Sequence, residues 1–156
     1  MAKLKFQKDV EIRNRKASFQ YFLHQTYTAG MVLLGTEVRS VRLGQASMND
    51  AYCVIERGEL YIRNLHIAEY KMGTDNNHEP LRKRKLLLKS EEIRKIERKI
   101  KEKGHTLIPV RLFISDRGFV KMEVAVASGK KSYDKRDSIK QKDNKRAMDR
   151  AKKWRD

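Results

Sequence analysis

The 156-residue chain has a single cysteine, Cys53, and a single cysteine forms neither an internal disulfide nor a multi-cysteine zinc site. Its eight glycines are scattered and none forms Gly-x-Gly, so no phosphate-cradling glycine loop is present. The four histidines, His24, His66, His78 and His105, show no His-x-x-x-His spacing, which removes the simplest helical metal pair. No stretch approaches the ~20 consecutive apolar residues of a membrane-spanning helix. The start, Met1-Ala2-Lys3-Leu4-Lys5-Phe6, lacks the apolar centre of a signal peptide. Acid is scarce: 20 Asp and Glu stand against 37 Lys and Arg, a net charge of +17. A small soluble domain usually carries about 2–8 charges of one sign. The expectation is a soluble, cytoplasmic, monomeric protein with no cofactor, no metal and no small-molecule substrate. A polyanionic partner would offset its self-repulsion.

The excess charge is concentrated. Residues 130–156 hold twelve bases against five acids, and Arg82 to Lys103 hold eleven against four. Two basic stretches in a chain already this basic point to RNA or DNA rather than to a solvated surface.

Period-two alternation over Ser18 to Thr28, with Phe19, Tyr21, Leu23 and Tyr27 on one side, predicts a strand. Residues 1–17 carry no such pattern and read as a basic arm. Gly35-Thr36-Glu37 reads as a helix start with Thr36 as cap, and Gly44 as its stop. Tyr52 to Glu56 and Glu59 to Arg63 form a predicted hairpin across Arg57-Gly58. Met72 to Glu79 is a polar loop. Ser90, Glu91-Glu92, the Ile93–Ile96–Ile100 stripe, Lys101 and Lys103, and Gly104 agree on a helix near 90–103. Thr106 to Ser115 and Gly118 to Ala127 form a second hairpin, with Pro109 at an edge or bulge. After Gly129 the apolar residues are too sparse to bury a core. Two units follow: residues 1–129, a barrel domain with its arm, and residues 130–156, a tail without fixed structure when free that becomes helical on a surface absorbing its charge. Short antiparallel strands with few helices close most readily into a barrel. The fold class is mainly β: an oligonucleotide-binding-type antiparallel β-barrel with flanking α-helices.

Arg82-Lys83-Arg84-Lys85, followed by Leu86-Leu87-Leu88, reads as a basic strip anchored to the barrel. Arginine grips phosphate through two parallel bonds and lysine acts as a point charge. Asn14-Arg15-Lys16 adds a second basic site with an amide for sugar or base edges. Tyr52, Tyr61 and Tyr70 are candidates for stacking on bases. At this level three functions stay open: an RNA-binding adaptor, a structural ribosomal protein with a basic extension, and a basic ribonuclease using two converging histidines such as His78 and His105.

Five ordered motifs make the sequence more specific. They are Asn14-Arg15-Lys16-Ala17; Ala29-Gly30 leading to Gly35-Thr36-Glu37-Val38-Arg39-Ser40-Val41-Arg42; Asp50-Ala51-Tyr52; His78-Glu79-Pro80 through Leu88; and Gly129-Lys130-Lys131-Ser132-Tyr133-Asp134-Lys135-Arg136. Together they resemble the SsrA-binding protein family over nearly the whole chain. The resemblance implies a non-enzymatic adaptor on an oligonucleotide-binding-type barrel. Such an adaptor binds the tRNA-like domain of transfer-messenger RNA and delivers it to ribosomes stalled on broken messages. By motif, the resemblance puts Asn14, Arg15 and Lys16 in an RNA-facing arm and Glu37 and Arg39 in the short-helix motif. Arg82, Arg84, Lys85, Leu86 and Leu87 fall in the basic strip. Gly129, Lys130, Lys131, Tyr133, Asp134, Lys135 and Arg136 begin a tail that enters the empty messenger channel, near the decoding centre and its small-subunit ribosomal RNA. Thr28 departs from the family pattern, where an acidic residue is expected.

Overall fold

A computed structural model describes residues 10–154; the first nine residues of the expected arm and the last two of the tail lie outside the described residues. The part of the arm that is described belongs to the body. Glu11–Arg13 forms strand β1, which pairs with the strand over Thr106–Ile114, and Arg15–Gln20 forms the short helix α1. No periodicity announces either piece, because both are ordered from outside. The Asn14 backbone N–H donates to the Val110 carbonyl at 2.8 Å and its side-chain amide to the Pro109 carbonyl at 2.9 Å.

The first long strand, β2, covers Tyr21–Met31. Its start differs from the sequence reading, since Ser18 and Phe19 complete α1. A bulge between Leu23 and Gln25 sets two residues against one on the partner strand. One extra residue flips the side-chain alternation to the other face. Leu23 and Tyr27 therefore do not share a side as strict alternation requires: Leu23 is exposed, Tyr27 is half-buried and Ala29 is buried.

Helix α2 (Gly35–Arg42) starts two residues earlier than Thr36 would allow as a cap, with Leu34 in the cap position. The Thr36 hydroxyl instead lies 2.8 Å from the His78 ring nitrogen Nδ1. The Glu37 carboxylate does the capping by accepting the Leu34 N–H at 2.9 Å. After the short strand β3 (Ala46–Ser47) comes the expected hairpin, β4 (Tyr52–Glu56) and β5 (Glu59–Arg63). Its turn residues Arg57 and Gly58 both have positive φ, 52° and 75°, which matches the right-handed strand twist.

β6 (His66–Ile67) pairs with β3, and β7 (Arg84–Leu87) follows the polar loop. Helix α3 (Ser90–Lys103) appears where the stripe and caps placed it, closed by Gly104 in the left-handed region. Lys89, not Ser90, holds its cap position, and no side chain caps it. β8 (Thr106–Ile114) and β9 (Val120–Gly129) form the second hairpin, with a register shift beside Pro109 as expected of a residue lacking a ladder donor.

Seven strands form one antiparallel sheet in the order β1-β8-β9-β2-β7-β5-β4. The sheet curls until β4 comes within 8 Å (Cα to Cα) of β8, but no ladder joins them, so the barrel is partly open. Leu60, Ile62, Leu86, Leu112, Met122 and Val124 fill it, and Ile93 and Ile96 of α3 pack onto the same cluster. Among the described residues no helix is long and apolar enough to cross a membrane.

The chain ends in helix α4 (Ser132–Lys153), 22 residues with none buried. The sequence suggested no fixed structure for this segment in the free chain. Among the described residues α4 buries no side chain against the barrel.

Candidate nucleic-acid interface

The basic run on β7 looks like a phosphate strip in the sequence, yet each of its four bases has a carboxylate partner. Arg82 grips Glu37 through two parallel bonds, Nε to Oε1 at 3.0 Å and Nη2 to Oε2 at 2.8 Å. Lys83 bonds Glu56 and lies over the Tyr61 ring, and Lys85 donates to Glu59 at 2.9 Å. The Lys83 bond holds the Glu56 carboxyl below its ordinary value.

Arg84 is wholly buried, donating Nε to Glu37 at 2.9 Å, Nη1 to the Leu65 carbonyl at 2.6 Å and Nη2 to the Pro80 carbonyl at 3.1 Å. Burial pushes the Glu37 carboxyl up. The bonds from Arg82, Leu34 and Arg84 outweigh it, and the group titrates below its usual 4.5. Glu37, Arg84 and Leu86 therefore cannot present side chains to RNA, which corrects the sequence reading for these three. Arg84 and Leu86 are two apart on a strand, and period two puts both on the inner face; that signal was present in the sequence.

Other expected residues are also occupied. The Asn14 amide clamps the β8 bulge, whereas Arg15 and Lys16 are exposed on α1. Arg39 is exposed, with its guanidinium 5.5 Å from the Tyr70 ring centre. Tyr70 itself is buried, Tyr61 half-buried and Tyr52 exposed. In the tail, Lys130 is clasped: its Nζ donates to the Ser18 carbonyl at 2.9 Å and the Ser138 hydroxyl at 3.0 Å, and lies 5.1 Å from the Phe22 ring centre. The Asp134 carboxylate accepts the Lys131 N–H at 3.3 Å and starts α4. Gly129, Lys131, Tyr133 and Arg136 are exposed, and Lys135 is half-buried.

What the sequence reading missed is a groove of about 370 Å³ at the end of the barrel where the β8–β9 turn meets α2. Leu87, Phe119, Arg42 and Lys121 rim it, and Gly30 and Met31 form its floor. Leu87 is 50% and Phe119 63% exposed, and Val32 and Leu34 beside them are also exposed. A side chain at Gly30 would meet Leu87 at 3.4 Å and the Lys121 ammonium at 3.8 Å. Among the described residues no carboxylate pairs with Arg42 or Lys121; the Arg42 guanidinium donates a 3.4 Å bond to the Gly118 carbonyl. Only Leu87 of its lining stood out in the sequence, because its parts come from four separate elements.

Burial pushes the Cys53 thiol up to about 12, which disfavours its thiolate form. His78 is buried between Thr36 and the Ile67 carbonyl, far in role from the His78–His105 pair of the ribonuclease reading. The histidines that do meet are His24 and His105, whose rings stack at 4.7 Å.

The arrangement defines a class: a basic, partly open antiparallel barrel with an apolar groove between unpaired cations at one end and a polar helix leaving the other. A family model for SmpB protein matches residues 11–154. An SsrA-binding protein of Parabacteroides distasonis is 52% identical over 96% of this chain and 97% of its own length. One from Phocaeicola vulgatus is 55% identical over 90% of this chain and 94% of its own. A solved structure described as "tmRNA-SmpB: a journey to the center of the bacterial ribosome" contains a chain with a TM-score of 0.67 and 39% identity. That likeness covers 83% of this chain and 94% of the solved one. The chain belongs to the SmpB family.

Proposed function

We propose that this chain is an RNA-binding adaptor that carries transfer-messenger RNA to stalled ribosomes in the cytoplasm and catalyses nothing itself. Its barrel holds the tRNA-like part of that RNA, and its tail occupies the vacated messenger channel. The observation that carries the reading is the separation of two unlike basic surfaces, one at each end of strand β9. The groove joins apolar surface to uncompensated cations, which suits a folded RNA offering an unstacked base beside its phosphates. The tail offers charge without a fixed shape of its own, which suits a channel of RNA.

Within the barrel, Leu87 and Phe119 supply apolar contact, and Arg42 and Lys121 supply phosphate contacts. Arg82, two-thirds covered and held by Glu37, lies outside the groove lining. Lys85 is quenched by Glu59 and contributes little. At the tail, Lys131, Tyr133 and Arg136 are the side chains free to meet ribosomal RNA.

Phe119→Ala should weaken binding of a tRNA-like RNA fragment by about 1–3 kcal/mol, the usual worth of one aromatic–base stack. Lys121→Gln should weaken binding and reduce the salt slope by about one. Lys85→Gln should leave both nearly unchanged. Filter binding across a salt series reads all three. Equal effects from Lys85 and Lys121 would move the interface to the β7 strip.

A further inference from the structure

The second basic stretch is not used up by the groove. Its first part, Arg82 to Lys85, is paired throughout with Glu37, Glu56 and Glu59. Lys89 precedes α3, and the other six bases lie on α3 against four acids, Glu91 and Glu92 in its first turn and Glu97 and Glu102 further along. Ile93 and Ile96 face the barrel, which turns Arg94, Lys95, Arg98 and Lys101 to the outside, all exposed. Only Lys101 has a carboxylate within 4.0 Å among the described residues, Glu97 at 3.3 Å. Arg94 and Arg98 are four apart, as are Lys95 and Lys99, and Lys99 and Lys103. Each such like-charged pair costs a helix about 0.2–0.5 kcal/mol. Opposite charges at the same spacing, Glu91 and Lys95, Glu97 and Lys101, and Arg98 and Glu102, offset part of that cost, and among the described residues only Glu97 and Lys101 close to within 4.0 Å.

Position adds to charge. α3 begins three residues after Leu87, at the groove, and packs along β8 and β9. It ends beside His105, whose ring stacks on His24 next to Ser128. Ser128 is the neighbour of Gly129, where the tail leaves the barrel. Over its 14 residues, roughly 21 Å, the helix thus runs from the RNA groove to the root of α4. The field at its far end is positive: besides burial and His24, Lys103 and Lys99 hold the His105 ring below its ordinary titration range.

From this geometry we infer that the outer face of α3, through Arg94, Lys95 and Arg98, binds the phosphate backbone of ribosomal RNA, as a contact separate from the groove. The inference rests on the adaptor reading above. Ribosomal RNA is the occupant because the ridge is continuous with the tail root, so an RNA surface that admits the tail lies alongside the same helix. The contact is to backbone phosphates and reads no base, because the ridge offers flexible cations and no aromatic side chain.

The test is the Arg94→Gln/Lys95→Gln/Arg98→Gln variant, which keeps side chains of similar helix propensity. It is measured against a tRNA-like RNA fragment and, separately, against stalled ribosomes, each across a salt series. The expected result is unchanged binding of the fragment, within about twofold. Ribosome binding should fall roughly tenfold near 0.15 M salt, with a log–log slope shallower by about 2–3 for three lost phosphate contacts. The intact fragment binding also shows that the variant is folded. Unchanged ribosome binding and slope overturn the inference. So does loss confined to the fragment, which would make α3 an extension of the groove. Glu102→Gln, removing an acid from the same helix, should bind ribosomes as tightly as the native chain or tighter; weaker binding counts against a polyanionic partner. If the native chain binds no tRNA-like fragment, the adaptor reading itself fails and takes this inference with it.

Discussion

Glu37→Ala costs about 3–5 kcal/mol of folding stability, the usual penalty for removing one partner of a buried ion pair. The loss arises less from the bond than from what it leaves behind. Arg84 has no exposed surface, and its guanidinium stays charged at any physiological pH. Without the carboxylate it is a buried cation facing the carbonyls of Leu65 and Pro80. The Leu34 N–H at the start of α2 loses its acceptor, and Arg82 loses both bonds of its fork. A domain of this size has about 5–15 kcal/mol in total, so urea unfolding should show the midpoint collapse. Arg82→Gln, at a partly exposed position, should cost only about 1 kcal/mol. The pH dependence follows from the direction of the Glu37 shift. Its folded value lies below its unfolded 4.5, so its stabilisation is complete above 4.5 and drains away as pH falls through the folded value. The native chain should lose stability in that acid window, and Glu37→Ala should not show that part of the loss. A variant melting within 1 kcal/mol of the native chain would mean that Arg84 finds water instead.

The second large effect is functional. Asp134→Ala/Lys135→Ala/Arg136→Ala should bind a tRNA-like fragment with native affinity and fail to release stalled ribosomes. The three side chains act differently. Asp134 accepts the Lys131 N–H, and losing such a cap costs a helix about 1 kcal/mol. That matters for α4, which has no buried residue to compensate. The only ion pair within a helix among the described residues is in α3. Lys135 and Arg136 contribute charge. Asp134→Ala alone should therefore lower helicity by circular dichroism and weaken rescue, whereas Arg136→Ala should spare helicity and still weaken rescue. We propose that α4 exchanges with unfolded chain in the free protein and is fixed against ribosomal RNA. Fragment affinity falling in step with rescue would contradict the division between barrel and tail.

Much of the body could be read from the residues because local signals agreed. At α3, first-turn acids, an isoleucine stripe, terminal lysines and Gly104 all pointed one way. At Arg57-Gly58 and around Pro109 the backbone chemistry left few options. β1 and α1 were missed because their order comes from β8, about 95 residues away, through the Asn14 amide. The same distance problem disguised the basic run. Arg82, Lys83 and Lys85 look unpaired in sequence, and their carboxylates lie 45, 27 and 26 residues away. The groove could not be read at all in one dimension. Leu87 was singled out as an anchor, but its companions Arg42, Phe119 and Lys121 meet it only once β2, α2, β7 and β9 are folded together.

The central claim is that the barrel recognises a folded tRNA-like shape and does not merely attract polyanions. Competition settles it most directly: labelled tRNA-like domain on the native chain, challenged near 0.15 M salt by unlabelled copies of itself and by unstructured RNA of equal length. The account predicts that the folded RNA displaces label at far lower concentration, and that Phe119→Ala and Lys121→Gln narrow the difference. Equal displacement by both RNAs would contradict it, leaving only the charge of +17 at work.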